Sequence, residues 1–207
     1  MQLPRPTHLV ACFEYEADAQ AFMRSLSARL GGFGLETEPS KTKMLRFGKW
    51  AAADNAAEGK VNDTFNFLGI THFLGKSRKG KFIVGRKTER KRVVKKLKEV
   101  GAKLKSLRTA GGAAMYQYAR QHLRGHYQYY GVSGNSRSLS NYKAAVERIL
   151  YKWLNRRSQR KSICWSRFNR LLNSGLLPEP KIHHNLYDFV FGKPVLRMSK
   201  QARSQMV

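Results

Sequence analysis

Carboxylates are scarce in this sequence. Its 207 residues carry 13 Asp and Glu against 40 Lys and Arg, a formal net charge of +27. After residue 63 the only acids are Glu89, Glu99, Glu147, Glu179 and Asp188, all well separated. Two-metal phosphoryl transfer gathers carboxylates around ions a few ångströms apart, so that stretch predicts no such centre. The closest acidic group, Glu14, Glu16 and Asp18, fits a helix start, where carboxylates complement the macrodipole. Cysteine is scarcer still. Cys12 and Cys164 alone make neither a disulfide scaffold nor a zinc ribbon, and their apolar neighbours predict reduced, buried thiols. No run approaches the ~18 apolar residues of a membrane span. Pro4 and Pro6 stand where the apolar stretch of a signal peptide would run. The expectation is a cytoplasmic chain with no membrane partner. No phosphate loop, nucleophile elbow or Cys–His arrangement is present. His122 and His126 share a helix face, but the segment lacks the zincin glutamate and further ligands, so no metal site is expected.

Positive charge is abundant, and it is unevenly placed. Residues 1–75 hold eight basic and eight acidic residues, whereas residues 76–207 hold 32 and five. The usual partner of so basic a chain is a polyanion. With 42% hydrophobic and 11% aromatic residues the chain is too apolar for a simple basic tail and can build a core.

Periodicity gives the organisation. Leu9–Phe13 reads as a short strand and Glu14–Leu30 as a helix, with Ala19, Phe22, Met23, Leu26 and Leu30 on one face. Gly31-Gly32 is expected to end that helix. Leu35–Glu38 and Thr42–Phe47 are strand candidates, and the small residues of Ala51–Lys60 read as a loop. Phe65–Leu74 and Lys81–Val84 read as two strands around a basic turn, Gly75–Gly80. Thr88 is then a plausible N-cap. Val93, Leu97, Val100, Leu104 and Leu107 form a narrow helical seam, and Ala113–His126 reads as the next helix. Tyr142, Val146, Ile149, Leu150 and Trp153 mark a third helix, capped by Ser138 or Ser140. Trp165, Phe168, Leu171 and Leu172 mark a short fourth, ended near Gly175. Pro178-Glu179-Pro180 forces extended structure, and the tail from Gly192 has no periodicity. The fold class expected is α+β: a small head of one helix and short antiparallel strands, then a mainly helical basic body.

Fifteen basic residues against two acids between 76 and 108 exceed what mutual salt bridges can offset. Like charges at i, i+4, such as Arg92 and Lys96, cost a few tenths of a kcal/mol per pair. A phosphate backbone turns that cost into binding, with steep salt dependence. The aromatic segment Tyr127–Tyr130, beside Arg124 and His126, has two readings: helix packing, favoured for at least two of the three tyrosines, or stacking on unpaired bases. Arg156–Lys161 places four cations in six residues after an apolar helix.

Four separated segments carry a family resemblance. They are Phe65-Asn66-Phe67-Leu68-Gly69-Ile70-Thr71-His72, Gly75-Lys76-Ser77-Arg78-Lys79-Gly80, the run from Leu123 to Val132 (LRGHYQYYGV), and the run from Trp153 to Arg160 (WLNRRSQR). In this order they resemble group II intron-encoded reverse transcriptase/maturases, over about Leu9 to His184. The resemblance implies that residues 1–75 are the end of a polymerase palm, 76–154 a helical thumb or maturase-specific domain, 155–190 the start of a DNA-binding-like region, and 191–207 a flexible tail. It implies a primer-grip-like hairpin at Phe67, Leu68 and Gly69, and a nucleotide-side palm lysine at Lys41. The RNA-binding residues it and the charge pattern suggest are Lys76, Arg78, Lys79, Arg90, Lys91, Arg92, Arg124, His126, Tyr127, Tyr130, Arg156, Arg157, Arg160 and Lys161.

One departure shapes the function expected. Where the family carries a Tyr/Phe-Ala-Asp-Asp turn, this sequence reads Arg5-Pro6-Thr7-His8. Polymerisation needs those carboxylates to hold its ions. The expectation is an RNA-binding, maturase-like chain that assists intron RNA folding and splicing and is no polymerase on its own. Its expected partner is intron RNA, with DNA and a complementary N-terminal reverse transcriptase half as further ones. No cofactor is expected beyond magnesium brought by bound RNA or by a completing half. The alternatives are the thumb half of a split polymerase completed in trans, and a decayed remnant. Missing palm strands also predict exposed apolar surface in the head.

Overall fold

The apolar positions Ala19, Phe22, Met23, Leu26 and Leu30 line one side of the first helix, α1 (Glu16–Gly31). This computed structural model describes residues 9–77, 79–156 and 163–186. It is α+β, with six helices and one three-stranded antiparallel sheet among those residues. The chain divides after Gly85 into two compact units.

In the first unit, α1 ends at Gly31 with Gly32 as its C-cap, where Gly31-Gly32 places the end, but the left-handed residue lies further on. Gly32 stays right-handed at φ −62°, and Gly34, at φ +67°, makes the left-handed turn. The Leu35 N–H donates to the Leu30 carbonyl and the Gly34 N–H to the Gly31 carbonyl, each at 3.0 Å, which is a Schellman closure. Leu9–Phe13, Leu35–Glu38 and Thr42–Phe47 are not strands. A short apolar stretch needs a hydrogen-bonding neighbour to become one, and among the described residues none of the three has it. Lys49–Ala57 is a helix, α2, in place of the loop that its small residues suggest. Its alanines are the strongest helix formers, and that propensity outweighs the lack of large side chains.

Phe65–Leu74, a single strand by its alternation and a hairpin by the family resemblance, is a hairpin. β1 (Thr64–Phe67) pairs antiparallel with β2 (Ile70–Lys76), from Thr64 opposite Phe73 to Phe67 opposite Ile70. Leu68 and Gly69 form the two-residue turn, at φ +49° and +78°, the signs a type I′ turn requires. β3 (Phe82–Thr88) completes the order β1-β2-β3. A side chain at Gly85 would meet the Phe73 ring at 2.3 Å, so the bare glycine lets that ring lie over β3. Phe65 stacks on His72 and meets Phe47 edge-on. Only Ala51, Gly69, Leu74 and Gly85 are buried in this unit's described residues. Leu9, Val10, Phe13, Phe22, Met23, Leu35, Met44 and Trp50 stay exposed.

The second unit holds the core. Its helices are α3 (Arg90–Ser106), α4 (Gly112–Tyr130), α5 (Ser136–Leu154) and α6 (Trp165–Asn173). Leu139, Tyr142, Val146, Leu150 and Leu154 recur every three or four residues along α5, and all are buried. α3 and α4 both pack on this helix, contributing Val100 and Leu104, then Met115, Ala119 and Leu123; Phe168 of α6 is also fully buried. Burying a Leu or Phe side chain contributes roughly 1.5–3 kcal/mol, so this seam dominates the unit's stability. Thr88 is the buried last residue of β3 rather than a cap, and Glu89 takes the N-cap position of α3. α5 starts from Asn135, ahead of Ser138 and Ser140. α4 runs four residues past His126. Gly175, at φ +80°, follows α6 as expected. The chain then returns to the α4–α5 turn, where Val132 bridges His184 in parallel, and the His183 and His184 N–H groups donate to the Gly131 carbonyl at 2.7 and 2.9 Å. Cys12 and Cys164 are free and exposed, not buried, because neighbours that are apolar in sequence do not enclose them. No helix of the described residues is long and apolar enough to cross a membrane.

Candidate nucleic-acid interface

The seam of α3 decides where its charge goes. Val100 and Leu104 are buried and Val93, Leu97 and Leu107 half-buried, which turns Arg90, Lys91, Arg92, Lys95, Lys96, Lys98, Lys103 and Lys105 to the exposed side. Lys91, Lys95, Lys98 and Lys105 fall within one narrow helical stripe, about 21 Å long at 1.5 Å per residue. Two cations of α3 are paired: Arg92 with Glu89 at 3.2 Å and Lys96 with Glu99 at 2.8 Å. The Lys96 bond draws the Glu99 carboxyl below its ordinary range and lifts the Lys96 ammonium above its own. Arg90, Lys91, Lys95, Lys98, Lys103 and Lys105 make no salt bridge among the described residues, and Lys95 only adds to the field on Glu99. Such a stripe presents unneutralised cations at helical spacing, the electrostatic footprint of a phosphate backbone.

Other candidate residues are placed as follows. Lys76 and Lys79 are exposed beside the β2–β3 turn of the first unit, which Ser77 closes by donating its N–H to the Lys81 carbonyl at 2.7 Å. Phe67 is half-buried at the hairpin, Leu68 exposed at its tip and Gly69 buried. Lys41 is exposed on a turn organised by the Glu38 carbonyl, which accepts from the Lys41 and Thr42 N–H groups at 3.0 Å. Arg124 is exposed on the outer face of α4, one turn from Arg120, which is exposed as well. Arg78, Arg157, Arg160 and Lys161 lie outside the described residues, as do Arg5–His8.

Three candidate contacts move into the core. His126, Tyr127 and Tyr130 are 7%, 2% and 9% exposed, so they pack rather than face RNA. The reason is helical phase. α4 continues through the segment, and these residues follow Met115, Ala119 and Leu123 on the buried side, leaving Tyr129 outside. His126 stacks on Tyr142 at 3.7 Å between ring centres, with the two rings almost parallel. His122 bonds the Tyr142 hydroxyl at 2.8 Å. Burial, then the neighbouring His122 and Lys96, push the His126 imidazole down to about 4, so it is neutral at pH 7. Burial also pushes the Tyr127 and Tyr142 phenols up. The His122–His126 pair is thereby part of a ring stack.

One group is not evident from the sequence, where Trp153 reads as a helix marker and as the start of the WLNRRSQR run. Its half-buried indole has Arg108, Lys152 and Arg156 gathered around it, with charge-to-centroid distances of 5.6, 5.4 and 5.7 Å. Lys152 and Arg156 flank Trp153 in sequence, and that spacing is the available signal. Arg108 arrives from beyond α3, and nothing local announces it.

The chain matches no family model, no curated protein and no solved structure.

Proposed function

We propose that the chain is an RNA-binding, maturase-like protein that assists intron RNA folding and splicing and does not polymerise nucleic acid on its own. The observation that carries this is the stripe of unpaired lysines along α3, backed by a packed core that holds the helix in place. The four-segment resemblance to group II intron maturases supplies RNA as the polyanion. DNA is a second polyanion the same stripe suits, and magnesium enters with the RNA.

The deciding experiment is filter binding of cognate intron RNA and an unrelated structured RNA at two salt concentrations. The expected result is tighter binding to the intron RNA, with affinity falling steeply as salt rises. Equal affinity for both RNAs would leave a nonspecific polycation. Lys91→Gln with Lys95→Gln and Lys98→Gln should lower the slope of log K against log salt by about 2, at about 0.7 per single-strand phosphate contact. Primer extension on an RNA template with Mg²⁺ or Mn²⁺ should stay at the no-protein level.

A second reading is favoured by one observation, the uncovered apolar residues Phe13, Phe22 and Met23. It makes the chain the thumb half of a split reverse transcriptase completed in trans. A neighbouring reading frame encoding fingers and palm up to the aspartate pair is its requirement, and absence of that frame removes it.

A further inference from the structure

Three cations around one indole, drawn from the C-terminal ends of α3 and α5 and the residues just beyond them, form a built feature of the second unit. Arg108 lies just beyond α3, and its guanidinium Nη1 donates to the Arg156 carbonyl at 3.2 Å. Lys152 and Trp153 lie in the last turn of α5, and Arg156 follows its C-cap, Asn155. None of the three cations has a carboxylate partner among the described residues. A helix C-terminus attracts cations, but its charge is only about half an elementary charge, so three cations exceed it several-fold. The face of the indole attracts each cation, and the Arg108–Arg156 bond fixes one of them, yet neither supplies a counterion. Fixed guanidinium forks suit phosphate oxygens, and an exposed part of an aromatic ring suits an unpaired base. The α3 stripe leads towards this group, since Lys105 lies one turn before Arg108.

We propose that Arg108, Lys152, Arg156 and Trp153 bind a phosphodiester of an unpaired RNA strand, with the indole as the stacking surface for the adjoining base. The site rests on the RNA-binding function proposed above and adds a fixed point to it. The α3 stripe attracts the backbone along its length, whereas the tryptophan site selects unpaired nucleotides over duplex.

Trp153 can report on its own site. The other tryptophans are Trp50 and Trp165, and a Trp50→Phe, Trp165→Phe background leaves one emitter. A 12-nucleotide oligouridylate should change its emission, and a 12-base-pair RNA duplex should do so at least tenfold more weakly. Arg108→Gln with Arg156→Gln should abolish the change and lower the oligouridylate salt slope by about 1.4. Lys91→Gln with Lys95→Gln should shift the midpoint and keep the emission change. Lys152→Gln, which contributes only its contact over the ring, should weaken binding severalfold and covers the case in which the double arginine variant fails to melt cooperatively. If oligouridylate binds with Lys91- and Lys95-dependent affinity while Trp153 emission and the arginine variant stay at parental values, the tryptophan site falls and RNA binding by the stripe stands. If no RNA binds, the function proposed above falls with it. If inorganic phosphate saturates the emission change at the concentrations where oligouridylate does, the site takes a free anion and the RNA assignment is overturned.

Discussion

Asn135 and Thr88 hold each other in both directions across 47 residues. The Thr88 N–H donates to Asn135 Oδ1, and Asn135 Nδ2 donates to Thr88 Oγ1, each at 3.0 Å. Asn135 also donates to the Tyr130 carbonyl at 2.9 Å and is fully buried. One amide thus ties the end of β3 to the turn between α4 and α5. Asn135→Ala leaves three buried polar partners short of a bond, and the expected loss is about 2–4 kcal/mol. Thr88→Val removes one acceptor and should cost about 1 kcal/mol. Urea unfolding followed by helical circular dichroism measures both, and equal losses would contradict the assignment of Asn135 as the hub.

Two glycines of one segment should respond in opposite directions to alanine. Gly125 is exposed inside α4, and a Cβ there meets nothing within 4 Å. Gly125→Ala should stabilise by about 0.5–1 kcal/mol through helix propensity. A Cβ at Gly131 would lie 2.3 Å from the Tyr127 carbonyl oxygen and 2.7 Å from that of Lys181. Gly131→Ala must shift backbone, and a loss of about 2 kcal/mol or more is expected. Thermal melts of the two variants should bracket the parent.

Acid should weaken the second unit through His126. Its folded pKa, about 4, lies below the ordinary histidine value of 6.5. Between those values the unfolded chain binds a proton that the folded one refuses, so stability is fully present above pH 6.5 and declines as pH falls towards 4. The full effect is of order 3 kcal/mol. His122, held down by burial as well, acts in the same direction. His126→Phe keeps a ring against Tyr142 and removes the titration. Denaturation midpoints at pH 7.5 and pH 5 should differ clearly less in this variant than in the parent.

The hairpin tip should tolerate improvement. Leu68 is a non-glycine residue at φ +49° and is 56% exposed. The left-handed region is unfavourable for leucine and much easier for asparagine. Leu68→Asn creates the Asn-Gly pair that type I′ turns prefer, and a gain of about 0.5–1 kcal/mol is expected. Hydrogen exchange of the β1 and β2 amides should slow; unchanged or faster exchange would assign the leucine another role.

The helical body is legible in sequence because its signals are local. The seams of α3 and α5 lie in their own spacing, and the tertiary structure only deepens them. The same spacing turns the lysine stripe outward, since the apolar seam must face the core. The head is less legible, since its candidate strands depend on neighbours that no short run of sequence specifies. Leu9–Phe13 has a strand's composition and, among the described residues, lacks a strand's partner. Ala51–Lys60 misleads because the small size of its side chains hides alanine's strong backbone preference for helix. At the interface, the fate of Tyr127 and Tyr130 hangs on whether α4 continues beyond His126, a matter of phase over four residues. Arg108 cannot be assigned to Trp153 from sequence, because the contact joins residues 45 positions apart through the packing of α3 on α5.

The uneven burial of the two units has a thermodynamic consequence. Val100, Leu104, Met115, Leu123, Leu139, Tyr142 and Phe168 all belong to the second unit, while among the described residues the first buries no side chain larger than Leu74. Heat capacity scans should therefore resolve two transitions, the first unit melting early and broadly and the second sharply. Limited proteolysis at moderate temperature should release a resistant fragment starting near residue 86. The calorimetric enthalpy should exceed the van't Hoff value, and because α1 and α2 lie in the first unit, a single midpoint read from helical signal mixes the two transitions and describes neither unit.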